Sequence, residues 1–143
     1  MLVLTLGLIE LGRAFVFGVS VQEGARQATR LAASANYDVN VDNNAVLGRL
    51  VAASEPALSG CAATFTPNQV CNGGSWTFSV SIVNNATSYS TFAQARTANA
   101  LAGAQITTTA VGSVALIPGL QAGAFGLRLP NITVHGESSM VVL

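Results

Sequence analysis

His135 is the only histidine in the chain, and the six acids, Glu10, Glu23, Asp38, Asp42, Glu55 and Glu137, are scattered along it. Nucleophilic or acid–base catalysis needs a nucleophile, a base and an orienting group brought together. No Ser, His and acid form a recognisable local motif, so an enzyme is not expected. Asp38, Asn40, Asp42 and Asn44 place oxygen side chains at alternate positions, as the start of a calcium loop does. Such a loop also needs Gly at its sixth position and Glu at its twelfth; Asn43 and Arg49 stand there. The better reading is a polar loop in which Asp42 or Asn43 caps the next helix.

Cys61 and Cys71 are the only cysteines. Tetrahedral zinc wants four ligands, and no His or acid lies near them. Their spacing is not that of a Cys-x-x-Cys redox pair. A disulfide is expected, as in exported proteins, with two buried thiols as the alternative. Closing so short a loop would stabilise the fold by roughly 2.5–3 kcal/mol in the chain-entropy model. Asn85-Ala86-Thr87 and Asn131-Ile132-Thr133 match the N-glycosylation pattern, where chance matches are the default. The Gly-rich stretch after Pro118 has no Lys and is no phosphate loop. No metal or cofactor is expected.

The remaining chemical anomaly is Glu10 and Arg13. They interrupt an apolar run that otherwise extends from Met1 to Val21. Charges in such a run are costly unless paired. At i,i+3 the two can pair within one helix. They can instead mark where the helix leaves a membrane or packed core, or reach a neighbouring subunit. The helix that carries them is predicted over residues 1–33, roughly 50 Å long at 1.5 Å per residue. Its first two-thirds is apolar on nearly every face, which implies burial all round, in protein or lipid. The uninterrupted run before Glu10 is shorter than the about 20 residues that span a bilayer. Gly7, Gly12, Gly18 and Gly24 each weaken an isolated helix by about 1 kcal/mol relative to Ala. They let helices approach closely, which favours helix-on-helix packing.

Composition agrees. Of 143 residues 8% are charged, and six Arg balance six acids to a net charge of zero. Ordinary domains have about 25% charged residues. So neutral a surface resists self-association little. It offers no cluster of Lys and Arg for nucleic acid. No basic segment and cleavage site mark a signal peptide at the start.

The run IELGRAFVFGVSVQEGARQATRLAA resembles the N-terminal segment of TadE-like proteins, pilin-like components of the bacterial tight-adherence (Flp) pilus. Their apolar helix carries a Glu-x-Gly-Arg element and then a Glu-Gly-Ala-Arg element. Here these are Glu10, Gly12, Arg13 and Glu23, Gly24, Ala25, Arg26. The closing LPNITVHGESSMVVL is similar to the family's last strand. The family usually has more apolar residues upstream and, in many members, a prepilin-type cleavage motif; this sequence shows neither. The resemblance implies a pilin-like fold and a role in a pilus. With the helix pattern it nominates Gly7, Glu10, Gly12, Arg13, Phe15, Phe17, Glu23 and Arg26 as assembly residues.

After a turn at residues 34–37, a second helix is predicted over 44–58, with Val46, Leu47, Leu50 and Val51 facing the sheet. Trp76, Phe78, Val80 and Ile82 alternate with Thr77, Ser79, Ser81 and Val83, which is a strand with one apolar face. Asn84-Asn85 breaks it. Residues 87–102 read as a short helix or a loop, 105–116 as a strand, 118–130 as a loop or irregular helix, and 131–142 as the last strand. The fold class is α+β: a long N-terminal helix (1–34) for assembly or membrane contact, and a small domain (35–143). That domain has one short helix and an antiparallel sheet of three to four strands. Two functions follow. One is a structural subunit whose helices polymerise into a filament core, exported to the cell surface after contact with the inner membrane. The other is a membrane-anchored minor pilin that primes a pilus with other pilus components. A ligand-binding surface domain is less favoured, since no aromatic cluster supports it.

Overall fold

A computed structural model describes residues 2–72, 74–114 and 131–143. The chain is α+β, with a long N-terminal helix and a small antiparallel sheet. Helix α1 spans Leu2–Ala33, and a single 3-10 turn, Ser34–Asn36, follows it. Helix α2 spans Asn43–Ala53. Its N-cap is Asp42, whose Oδ1 accepts from the Ala45 N–H at 2.7 Å. Asp38 closes an Asx-type turn: its Oδ1 accepts from the backbone N–H and side-chain amide of Asn40.

Among the described residues five strands form the sheet: β1 (Asn68–Cys71), β2 (Gly74–Asn84), β3 (Thr87–Tyr89), β4 (Gln105–Val114) and β5 (Ile132–Val141). The order is β1-β2-β4-β5, all antiparallel, and β3 also pairs with β2. The sequence led us to expect three to four strands; β1 and β3, of four and three residues, are too short for alternation to reveal. The turn from β2 to β3 has Asn85 at φ 48° and Ala86 at φ 67°, both left-handed as a tight hairpin turn requires. Short helix α3, Phe92–Thr97, follows. Residues 87–102 thus divide between a hairpin strand and a helix. The helix expected over 44–58 ends at Ala53, because Pro56 lacks an N–H and restricts the residue before it. The loop or helix expected over 118–130 lies outside the described residues.

One face of the sheet is buried and the other is solvated. The buried face carries Trp76, Phe78, Val80 and Ile82 on β2, Ile106, Thr108, Ala110, Gly112 and Val114 on β4, and Val134 and Gly136 on β5. Register sets small residues side by side: Ala110 opposite Gly136, and Thr108 opposite Ser138. They form a shallow channel that seats α1. A Cβ at Gly136 would stand 2.7 Å from the Val21 carbonyl oxygen, so α1 and β5 nearly touch backbone to backbone. Gly112 makes room for the Trp76 indole in the same way. The opposite face is largely Ser and Thr, including Ser75, Thr77, Ser79 and Thr133.

From Phe17 onward α1 belongs to this core. Phe17, Val21, Ala28 and Ala32 recur at helical spacing and share one hydrophobic cluster with the sheet. Thr29 and Thr108 meet inside it; both hydroxyls donate to the Ala25 carbonyl, at 2.8 and 2.9 Å. Helix α2 lies against α1 rather than spreading over the sheet, with Gly24 facing the Leu50 carbonyl and Ser54. Its Val46, Leu47 and Leu50 join the same core as Trp76. Asn43 ties α2 to α3: its amide donates to the Ser90 carbonyl and its oxygen accepts from the Phe92 N–H. Arg96 fastens the connection from α1 to α2 by donating to the carbonyls of Ala35, Asp38 and Val41 at 3.2, 2.9 and 2.7 Å.

Candidate assembly surface

Beyond Phe17 toward the N-terminus, α1 runs past its own sheet. Phe17 is 6% exposed, whereas Phe15 is 72%, Leu4 70% and Leu8 69% exposed. Ile9, Leu11, Val16 and Val19 are also exposed. Leu4, Leu8, Leu11 and Phe15 follow a 4-3-4 spacing, the seam of a helix that packs on another helix. Together these seven side chains offer on the order of 800 Å² of apolar surface. A typical monomer's largest apolar patch is about 300–600 Å². No charged side chain interrupts the Leu4, Leu8, Leu11 and Phe15 stripe.

The nominated residues divide between two sides of the helix. Phe15 lies on the exposed stripe, and Gly7 and Gly12 beside it have no atom within 4 Å of where a Cβ would be. Glu10 and Arg13 are half-buried on the side facing the protein's own domain. With Ala14 and Phe17 they line a small cleft closed by Val114, Ile132 and Val134. The Arg13 guanidinium lies over the Phe17 ring, 5.2 Å from its centroid. Among the described residues no ion pair joins Glu10 to Arg13, so pairing within one helix is not observed. Their positions mark the point where α1 leaves its own core.

Glu23 and Arg26 flank a different feature. Gly24 and Ala25 between them are buried by α2 and the sheet, so the small residues of this Glu-Gly-Ala-Arg element serve the chain's own packing. Glu23 accepts from the Gln27 amide at 3.2 Å, and Arg26 is exposed. Together with Phe15, Gly18, Val19, Gln22 and His135 they line an open groove of about 500 Å³. Its wall is fixed by Gln22, which treats β5 as a neighbouring strand would. The Gln22 amide donates to the Glu137 carbonyl at 2.7 Å, and its oxygen accepts from the Glu137 N–H at 3.2 Å. His135 Nε2 lies 3.5 Å from Glu137 Oε2 on the same strand face.

Sequence reasoning missed Leu4, Leu8, Leu11, Val19, Gln22 and His135 as individual surface residues, and gave Gly18 only as one of four glycines that let helices approach. The 4-3-4 spacing was the available signal for the leucines. Nothing in the sequence brings His135 to Gln22, because the β5 register decides that.

Cys61 and Cys71 form a disulfide, with Cα atoms 5.1 Å apart, inside the normal range. It ties the segment after α2 to β1 and is consistent with an extracellular or periplasmic location. Among the described residues no helix is long and apolar enough to cross a membrane. No group of three His, Cys, Asp or Glu gathers there as metal ligands would. Comparison with protein-family models, with curated proteins and with solved structures gives no match.

Proposed function

We propose that this chain is the structural subunit of an extracellular pilus-like filament, in which α1 tips pack into the filament core and the α+β domain forms the surface. The observation that carries this reading is the apolar tip of α1. It stands clear of the described residues of its own domain and exposes more apolar surface than a monomer ordinarily keeps. Burying about 800 Å² of apolar surface on each of two partners is the size of a standard stable interface. The zero net charge leaves little repulsion between copies. The disulfide fits an oxidising compartment, and the resemblance to TadE-like proteins points the same way.

Negative-stain electron microscopy and sedimentation of the purified, disulfide-intact protein test this directly. Filaments, or a sedimentation coefficient that rises with concentration, are expected after detergent removal. Leu8→Glu and Phe15→Glu should abolish them while leaving the circular dichroism spectrum unchanged. A parent protein that stays monomeric without detergent at all concentrations overturns the reading. If that monomer instead floats with lipid vesicles, the membrane-anchored priming role replaces it.

A further inference from the structure

The groove beside the tip has the geometry of a helix acceptor. Phe15, Gly18, Val19 and Gln22 stand at i, i+3, i+4 and i+7, the four positions that form one hole for a side-chain knob from a facing helix. Val19, Gln22, Glu23 and Arg26 form the next hole, one turn on. The first hole has glycine in its floor: nothing lies within 4 Å of a Cβ at Gly18. The groove's 500 Å³ is room for about three leucine-sized side chains packed at interior density. The second hole is lined by the stems of Gln22 and Arg26, which can cover a leucine while their polar ends stay in water.

We propose that the groove of Phe15, Gly18, Val19, Gln22, Arg26 and His135 accepts the leucine tip of α1 from a second copy of this chain. The proposal rests on the self-assembly argued above and specifies its geometry. The occupant is read from the chain itself. Leu4 and Leu8 are four residues apart, as are equivalent positions of the two holes, so both can be filled at once. Both leucines are exposed, with no cover from the described residues of their own domain. Leu4 and Leu8 are centred roughly 20 Å along α1 from the middle of the groove, with Phe15 between them at the groove's near edge. In the proposed contact the two helices run parallel and staggered, which makes it heterologous: each copy offers a tip and a groove, and the chain of contacts stays open, whereas antiparallel seating would fill both grooves and close into a dimer. Two tips packed against each other would close into a dimer and leave both grooves empty.

Complementation of two damaged proteins tests this. Leu8→Glu disables the tip and leaves the groove intact. Gly18→Trp fills the groove and leaves the tip intact; Val19→Glu is a second groove variant in case the tryptophan disturbs the helix. Each is checked by circular dichroism and measured by light scattering after size exclusion. The parent should polymerise and each variant alone should run as a monomer. An equimolar mixture of tip and groove variants should give a species of twice the monomer mass that grows no further, because one intact tip meets one intact groove. A mixture that stays monomeric, or a groove variant that polymerises like the parent, overturns the proposal. A parent that forms a closed dimer, unchanged on tenfold concentration, overturns it while leaving self-association standing. A parent that is monomeric throughout overturns the filament reading as well.

Discussion

Replacing Gly136 by alanine probes the contact that holds α1 on the sheet. A Cβ there would stand 2.7 Å from the Val21 carbonyl oxygen and 2.8 Å from the Val21 carbonyl carbon and Cγ1. Two of these are helix backbone atoms, which no side-chain rotation can move aside. Either α1 lifts from β5 or β5 bends, and overpacking of this kind costs about 1–3 kcal/mol. Alanine in a strand recovers about 0.5–1 kcal/mol of backbone entropy relative to glycine. The expected net loss is about 1–2 kcal/mol. Urea unfolding followed by far-UV circular dichroism measures it, with the disulfide intact. A Leu8→Glu background removes any contribution from self-association. Gly12→Ala is the control: no atom lies within 4 Å of its Cβ, so the helix should gain up to about 1 kcal/mol. A Gly136→Ala protein as stable as its parent would refute the close seating of α1 on β5.

Trp76→Ala should cost about 3–5 kcal/mol, because the indole is wholly buried; a loss below about 1 kcal/mol in the same assay would contradict that burial. Cys61→Ser with Cys71→Ser should lower stability by roughly 2.5–3 kcal/mol, and thiol labelling of the unreduced, denatured parent should find no free cysteine. Ala86→Gly should raise stability by about 1 kcal/mol, since Ala86 holds a left-handed φ of 67°; an unchanged urea midpoint would mean that this turn relaxes. Glu10→Ala and the double change Glu10→Ala with Arg13→Ala should assemble to within twofold of each other by sedimentation, and a single variant far worse than the double would contradict this.

Legibility in the sequence followed segment length and periodicity. The eleven residues of β2 alternate without interruption, so Trp76, Phe78, Val80 and Ile82 were readable as one buried face. Helix α1 was readable from its length and from the absence of Pro, Asn and Asp. Strand β1 was not, because Asn68-Gln69-Val70-Cys71 has no apolar alternation, and its Val70 is exposed. Pairing with β2, not propensity, makes it a strand. Gly136 sits where α1 and β5 nearly touch, which nothing in the local pattern of β5 announces. The groove was the least legible feature. Its helix side follows from 3.6-residue periodicity, but His135 arrives only through the register of β5 and the Gln22 bond to Glu137.

A helix apolar on nearly every face is, in the structure, a helix with two unlike faces. At roughly 100° per residue, Glu10 falls on the same side as Phe17, Val21 and Ala28, while Leu4, Leu8, Leu11 and Phe15 fall on the far side. Because charges in an apolar run are costly unless paired, a bundle that buried the tip on every side would also have to bury and pair Glu10 and Arg13. The positions relax that demand. Both charges border the cleft at the end of the sheet formed by Val114 and Ile132, and both keep contact with water. A neighbour seated on the leucine stripe would not strip that water, so the several kcal/mol that desolvating each ion costs is not incurred. Arg13, stacked on Phe17, instead covers the last core side chain before α1 leaves its domain. The two charges thus end one packed face of α1 while leaving the other free of charge, as the proposed contact through the tip would require.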